Sequence, residues 1–275
     1  MTKINKLNFV SGILILFLSL FLIQCGLNVF PLSQDTQLGS EMDKEIRRNP
    51  QQYPILNNNY VQNYVQNLVN KILISPKIKY KKNFPYKVTI INDDKVLNAF
   101  CTPGGYIYVY TGILKYLEDE ASLAGVVGHE IAHAENRHGT QHMTNSLGLE
   151  VLASLALGNN PSELTKVAAN AGALIAMLKN SREDETEADN SSFEYLRSSN
   201  YWPGGIKKFF EKMLAEKGNR STGGKLDEWM STHPLPQSRV DNVNNLLRKN
   251  NIPSPGPQNL MATEYRDMLK QLNNR

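Results

Sequence analysis

The sequence predicts a predominantly helical α+β domain with a small β-sheet, and three observations support this fold class. Apolar residues recur three or four positions apart over residues 59–74, as on one face of a helix. Two short stretches, 86–91 and 105–110, instead alternate polar with β-branched or aromatic residues, as half-buried strands do. A further stretch, residues 123–132, is apolar around most of a helix and is typical of a buried one.

The first 24 residues have the pattern of a secretory signal. Lys3 and Lys6 precede an uncharged apolar run, residues 9–23, that is shorter than the roughly 20 residues of a bilayer span. Residues 22–25 are similar to a bacterial lipoprotein box, so we expect cleavage after residue 24 and acylation of Cys25. The alternative is an uncleaved N-terminal anchor. Both interpretations place the remaining chain in a bacterial cell envelope, anchored to a membrane and facing the periplasm.

Cysteine content and net charge limit which disulfides and which partners the exported chain can have. Cys25 and Cys101 are its two cysteines, so acylation of Cys25 would leave no internal disulfide. Loss of the two lysines of the signal leaves 28 basic against 26 acidic residues, which lowers the formal net charge from +4 to +2. This balance does not favour nucleic acid as a partner.

No repeat or low-complexity break divides the chain, so we expect residues 25–37 to form a tether and residues 38–275 a single domain.

Further helices are predicted from periodicity and from breakers. The first spans residues 38–48 and ends before Pro50, and the helix over 59–74 ends before Pro76. Two later apolar stretches, residues 147–157 and 164–178, follow the buried helix. The second is short and contains polar residues, so it predicts a packed or interfacial helix rather than a membrane span.

Two histidines interrupt the buried helix. His129 and His133 are four residues apart, which places their side chains about 40° apart on one helical face, so both can reach one ion. Glu130 lies about 100° further round, beside such an ion rather than on it. Zinc lowers the pKa of bound water to about 7, and a neighbouring carboxylate can then take the proton. The pattern His-Glu-x-x-His is therefore typical of a zinc peptidase.

A polar patch on an amphipathic helix is the alternative interpretation of this pattern. It is disfavoured because residues 123–132 are so apolar that unligated histidines would be buried without partners. On a continuing helix, His138 would fall about 180° from His129, and His142 would lie on the same far side. We therefore expect His138 and His142 to be structural or exposed rather than ligands.

A third ligand is expected from the acidic stretch 183–189, because zinc peptidases of this kind take a carboxylate from a later helix. Glu185 and Asp189 lie four residues apart on one face of such a helix. One of them can bind zinc while the other accepts a hydrogen bond from a ligand histidine. Spacing alone leaves open which residue does which.

An extended segment lies between the two predicted strands. It runs from Asn98 through Ala99 and Phe100 to Pro103 and a pair of glycines, a composition that suits a sheet edge or a turn. An open sheet edge beside a metal can pair with an extended peptide substrate. The alternative is an ordinary hairpin.

Four motifs then form one pattern: residues 129–133, Arg137-His138, residues 181–189 and residues 232–239. Together they resemble the HtpX-like and CAAX-prenyl-protease family of zinc metallopeptidases, and its small periplasmic lipoprotein members most of all, over about residues 35–250. The resemblance implies a zincin-like domain with these roles: His129, His133 and Glu185 bind one Zn²⁺ per chain, Glu130 is the base, Asp189 supports a ligand, His233 and Arg239 line the site, and Asn98, Ala99 and Phe100 belong to the substrate strand.

The sequence therefore predicts a membrane-anchored zinc endopeptidase. The resemblance implies protein quality control, with unfolded or misassembled envelope proteins as substrates. A rival hypothesis is a zinc-binding holdase that binds unfolded chains without cutting them, but a binding protein has no need of a base at Glu130. His233 could take the fourth position at the zinc and gate it, stabilise a transition-state oxygen, or only cap a helix.

Overall fold

The computed structural model describes residues 28–147, 161–169, 175, 180–217, 225–233 and 237–274. The predicted signal segment and Cys25 lie outside the described residues. So do all but the first residue of the predicted helix 147–157 and much of the predicted helix 164–178. Within the described ranges, no helix combines the length and the apolar character that crossing a membrane requires.

Helices dominate the described structure, and a three-stranded sheet accompanies them, so the predicted predominantly α, zincin-like α+β fold is confirmed. The helices are α1 (Leu32–Arg48), α2 (Asn59–Ile72), α3 (Thr111–Tyr116), α4 (Glu120–Glu135), α5 (His138–Ser146), α6 (Pro161–Ala168), α7 (Arg182–Leu196), α8 (Gly205–Lys217), α9 (Lys225–Thr232), α10 (Gln237–Lys249), α11 (Pro257–Leu260) and α12 (Ala262–Asn273), and the strands are β1 (Lys87–Ile91), β2 (Ala99–Thr102) and β3 (Tyr106–Tyr110).

The strands are arranged in the order β1–β3–β2. β1 lies parallel to β3, with Val88 opposite Ile107, and β2 lies antiparallel to β3, with Ala99 opposite Val109. Both predicted strands are present, and the extended segment between them is a third strand that forms a hairpin with β3. β2 is therefore both a hairpin strand and an edge strand of the described sheet.

Two glycines make the turn between β2 and β3. Gly104 and Gly105 have φ angles of +77° and +81°, which residues with a Cβ rarely adopt. A Cβ on Gly104 would also lie 2.7 Å from the Cα of Thr36 in α1. The glycines thus allow the end of the hairpin to contact the first helix.

α4 lies at the centre of the domain, and all of its residues are buried. Its N-terminus is capped by Asp119, whose carboxylate accepts a hydrogen bond from the Ser122 amide at 2.8 Å. The helix packs against α7, α8 and β2. Polar side chains on a helix buried all round need partners from the elements packed against it. The two histidines of the His-Glu-x-x-His pattern contact such side chains.

α1 begins earlier than predicted. The sequence places a polar tether up to Gln37, but the helix starts at Leu32 in the structure, and Phe30 and Asp35 are buried. The polarity of this stretch has a different cause, because Asp35 forms an ion pair with Arg137 at 2.6 Å. The other predicted elements of the first 110 residues agree with the structure to within one or two residues at their ends.

Candidate metal centre

α4 places two histidines side by side. The Nε2 atoms of His129 and His133 are 3.0 Å apart, and both side chains are buried. Residues one helical turn apart share a face, so this arrangement agrees with the predicted one.

α7 brings Glu185 to these histidines. Its N-terminus is a capping box, in which the Ser181 hydroxyl accepts from the Asp184 amide and the Asp184 carboxylate accepts from the Ser181 amide. The box fixes the first helical turn, which carries Glu185. The Glu185 carboxylate lies 3.4 Å from Nε2 of His129 through Oε2 and 3.4 Å from Nε2 of His133 through Oε1.

His233 completes the group from the end of α9. Its amide donates to the carbonyl oxygen of Trp229 at 2.7 Å, and its ring stacks on the indole with the centroids 4.4 Å apart. Nδ1 of His233 lies 3.0 Å from Oε1 of Glu185. Within the described ranges, His129, His133, Glu185 and His233 each offer one ligand atom, and the four atoms lie within 4.8 Å of one another. Such a buried set of donors could hold a metal ion.

Asp189 and Arg239 stand behind the four donors. Oδ1 of Asp189 lies 2.9 Å from Nδ1 of His129, the ring nitrogen that does not face His133. Arg239 donates to Asp189 from Nε at 2.7 Å and from Nη2 at 2.6 Å, and to Glu185 from Nη1 at 2.5 Å. One guanidinium thus holds both carboxylates of α7 in place.

These neighbours shift the pKa values of the group. Burial alone would raise the pKa of Asp189, but Arg239 holds it below its usual value. Burial would likewise raise the pKa of Glu185, yet the charges of His233 and His129 keep it well below the usual range. Burial lowers the pKa of His129, but Glu185 and Asp189 outweigh it and raise the value to about 9. Both carboxylates are therefore ionised at neutral pH, which is the form that binds a metal or supports a ligand.

Glu130 is buried as well, but its surroundings differ. Its Oε1 has no hydrogen-bond partner within the described residues and lies 3.6 Å from Nε2 of His233. Burial raises the pKa of Glu130, against the lowering influence of the charges of His233 and His129. A buried, unpaired carboxylate oxygen beside the donor set suits a group that accepts a proton from water.

His138 lies next to this group, which corrects the prediction that placed it on the far side of the helix. α4 has ended by this point, because Arg137 adopts a left-handed conformation with φ of 58° and α5 begins at His138. His138 is buried, and its Nδ1 lies 2.8 Å from Nδ1 of His133. His142 lies further away, with Nε2 3.0 Å from Oδ2 of Asp184.

A cleft runs from the donor set along β2. It is lined by Glu130 and His133 of α4 and by Phe100 and Thr102 of the strand. Of the three residues predicted for the substrate strand, Phe100 alone lines this cleft. Asn98, just before the strand, and Ala99, its first residue, are both buried. The segment of the edge that borders the cleft is therefore the later part of β2.

Two contacts of the centre have no signal in the sequence. Asn180, two residues before α7, places Nδ2 3.3 Å from Nε2 of His133. Trp229 supports His233 through stacking. Both residues lie far from α4 in the chain, and neither belongs to a periodic pattern, so their position depends on how α7 and α9 pack.

A helix that carries His-Glu-x-x-His and meets a glutamate from a later helix is the arrangement of a metallopeptidase. Comparison with known families gives the same class. Residues 57–247 match the model of peptidase family M48, and the chain belongs to this family. The predicted enzyme class, a metallopeptidase, is thereby confirmed. The match supports the family as a whole and does not single out its HtpX-like or CAAX-prenyl-protease members.

Three relatives illustrate the similarity. The mitochondrial metalloendopeptidase OMA1 of Arabidopsis thaliana is 32% identical over 154 residues, which cover 56% of this chain and 30% of the relative. The beta-barrel assembly-enhancing protease of Escherichia coli (strain K12) is 30% identical over 172 residues, covering 58% and 34%. OMA1 of Schizosaccharomyces pombe is 31% identical over 156 residues, covering 56% and 44%. The matched part of the chain thus spans less than half the length of each of these relatives.

Proposed function

We propose that this protein is a zinc endopeptidase that cuts unfolded or misassembled envelope proteins. The observation that carries the proposal is the buried group of His129, His133 and Glu185 beside Glu130, whose Oε1 is unpaired. Histidine nitrogens and a carboxylate are the donors that catalytic zinc takes in such peptidases, with one position left for water. We assign these three residues to one Zn²⁺ per chain.

The chemistry follows from where each side chain stands. A bound zinc ion supplies a Lewis acid that polarises the scissile carbonyl and makes water more acidic. Glu130 accepts the proton of the attacking water at Oε1 and passes it to the leaving amine. Asp189 orients His129 through its Nδ1, and Arg239 keeps Asp189 ionised for this task.

β2 is the proposed strand for substrate. An edge strand offers backbone N–H and C=O groups with which an extended peptide can pair, and this edge borders the cleft that contains Glu130. An unfolded segment can adopt the extended conformation that such pairing needs, whereas a folded domain cannot. The geometry therefore supports unfolded or misassembled chains as substrates.

The proposed location is the cell envelope, with the domain facing the periplasm. The support is the sequence of residues 1–25, with Cys25 as the site of a lipid anchor or with the uncleaved segment as the anchor. The name of the Escherichia coli relative, a beta-barrel assembly-enhancing protease, agrees with a role in the quality control of envelope proteins. We also propose that the protein is one of the small periplasmic lipoproteins of the family.

Glu130→Gln is the variant that tests this function. It removes the base and leaves the three proposed ligands. We therefore expect the zinc content of the wild type and a rate of cleavage that is lower by a factor of about 100 or more. Zinc is measured by elemental analysis, and cleavage of unfolded casein is measured on gels, with and without a chelator. The matched variant His129→Ala should lose the metal instead.

Two outcomes would redirect the proposal. Cleavage by Glu130→Gln at the wild-type rate would refute the peptidase mechanism. A wild-type protein that binds unfolded casein in the presence of zinc and never cuts it would support the holdase hypothesis.

A further inference from the structure

His138 occupies a place that the proposed chemistry does not use. It is 1% exposed and follows Arg137, whose left-handed backbone is uncommon for a residue with a Cβ. The Arg137 side chain is held firmly, since it donates to Asp35 at 2.6 and 3.0 Å and to the carbonyl oxygen of Phe30 at 2.5 Å. These contacts stabilise the turn that brings His138 back towards α4.

The ring of His138 contacts the rear nitrogen of His133. The two Nδ1 atoms are 2.8 Å apart, while Nε2 of His133 faces the donor set, 3.0 Å from Nε2 of His129. A neutral imidazole carries one N–H, so a hydrogen bond between two such rings needs one donor and one acceptor. If His133 binds a metal through Nε2, its proton must be on Nδ1. His133 then donates, and His138 accepts.

This assignment also determines the other nitrogen of His138. With Nδ1 as the acceptor, the proton of His138 lies on Nε2. That nitrogen faces acceptors, with Oε2 of Glu187 at 3.4 Å and Oδ1 of Asp184 at 3.7 Å. The contacts on both sides of His138 therefore agree with a single tautomer.

Nδ1 of the other proposed ligand also faces a polar side chain, because Nδ1 of His129 lies 2.9 Å from Oδ1 of Asp189. Partners of this kind fix the tautomer and the orientation of a metal-binding histidine. We propose that His138 is the positioning residue for His133, holding it as the Nδ1–H tautomer with Nε2 directed at the metal. This inference rests on the proposed zinc site.

Two variants of His138 separate positioning from packing. His138→Gln keeps an amide oxygen that can accept from His133 and an N–H that can face Glu187, whereas His138→Leu keeps the bulk and removes both. Zinc affinity of the full chain is measured by competition with a fluorescent chelator. We expect His138→Leu to bind zinc about 10- to 100-fold more weakly and His138→Gln to recover most of that loss. His142→Leu, on the same helix but without contact to His133, is the control and should bind as the wild type does.

A packing role gives a different order. It predicts that His138→Leu binds zinc as well as His138→Gln or better, and this result would overturn the inference. Nitrogen-15 NMR of the zinc-loaded wild type needs no variant, so it remains decisive if His138→Leu does not fold. We expect a protonated Nδ1 on His133 and an unprotonated Nδ1 on His138, and the opposite assignment would overturn the inference.

The two proposals fail in distinguishable ways. If the wild type binds no zinc, both are wrong. If Glu130→Gln retains zinc but loses cleavage while His138→Leu binds zinc as tightly as the wild type, the proposed function stands and the role of His138 is refuted.

Discussion

His233 differs from the other three donors because it follows the last residue of a helix, α9, whereas they lie within α4 and α7. Stacking on Trp229 holds its ring so that Nδ1 lies 3.0 Å from Glu185 and Nε2 lies 3.6 Å from Glu130. An imidazole in this position can take the fourth place at a zinc ion, which would leave none for water. The same position beside the donor set also suits a donor to a transition-state oxygen, so the geometry allows both roles.

Removal of this imidazole separates the two roles by sign. If His233 gates the centre, His233→Ala should raise the initial rate of cleavage of an unfolded substrate and leave zinc content unchanged. If it stabilises the transition state, the same change should lower the rate about a hundredfold. His142→Ala removes a histidine outside the donor set and serves as the control. A slower enzyme would refute the gate.

The centre was predictable from sequence only within single elements. The His-Glu-x-x-His residues lie on one helix, so the helical repeat alone places them correctly. Glu185 and His233 lie on other elements, and no spacing rule connects them to α4. Their assignment to the metal centre from sequence therefore depends on the resemblance to a known family. His138 is misplaced by the helical repeat because Arg137 adopts a left-handed conformation that its residue type does not favour.

Among the helices, α4 approaches its neighbours closely because glycines remove side chains at the contacts. A Cβ on Gly125 would lie 2.2 Å from the backbone nitrogen of Ile206 in α8. A Cβ on Gly128 would lie 2.6 Å from the hydroxyl oxygen of Ser192 in α7. The second contact lies between the two helices that carry the proposed ligands, so it helps to set the distance between Glu185 and the histidines.

Gly125→Ala should therefore destabilise the protein more than Gly128→Ala. In the first variant the new methyl meets a backbone, and we expect a loss of about 3 kcal/mol in the free energy of unfolding, even though alanine favours helix by about 1 kcal/mol. In the second variant the new methyl meets the Ser192 hydroxyl, which can rotate away. The rotation breaks the 3.1 Å hydrogen bond that this hydroxyl donates to the Gly125 carbonyl oxygen, at a cost of about 1 kcal/mol. Urea unfolding measures both values, and the reverse order would contradict this explanation.

The types of the elements were easier to predict than their ends. Alternation identified β1 and β3, because that pattern is local to each strand. The start of α1 was misjudged because the polar composition of residues 31–37 is the same for a tether as for a helix that buries an ion pair. The partner that distinguishes them, Arg137, lies 102 residues from Asp35 in the chain.

Across the whole molecule, α1 joins the domain through apolar and charged contacts with the sheet. Leu38, Met42 and Ile46 are fully buried and belong to the same apolar cluster as Phe100 and Tyr108 of the β2–β3 hairpin. Phe30, which lies in the segment 25–37 expected to be a tether, belongs to the same cluster, so part of that segment also contributes to the core beside the strand that borders the cleft. The stability of this strand depends in part on α1.

Asp43 makes the charged contact between α1 and the sheet. It accepts hydrogen bonds from the Tyr108 hydroxyl at 2.8 Å and from Nε of Arg47 at 2.9 Å, and Arg47 also donates to the Thr89 hydroxyl at 2.8 Å. Burial alone would raise the pKa of Asp43, but the bonds from Arg47 and Tyr108 lower it below the usual 3.8.

This shift predicts how the stability of the protein depends on pH. A carboxyl whose pKa is lowered by folding stabilises the folded state above its unfolded pKa, and this contribution is lost as pH falls through the folded value. Asp43→Asn should therefore lower the free energy of unfolding at pH 7 by about 1 kcal/mol, allowing for the solvent exposure of Arg47. The difference from the wild type should shrink as pH falls below about 4.

Glu41→Gln is the control, on the same helix but in an exposed pair with Lys44. It should change the free energy of unfolding by less than about 0.5 kcal/mol at pH 7 and at pH 3. Urea unfolding from pH 7 to pH 3 measures all three proteins, and a deficit of Asp43→Asn that stayed constant over this range would show that its carboxylate charge does not join α1 to the sheet.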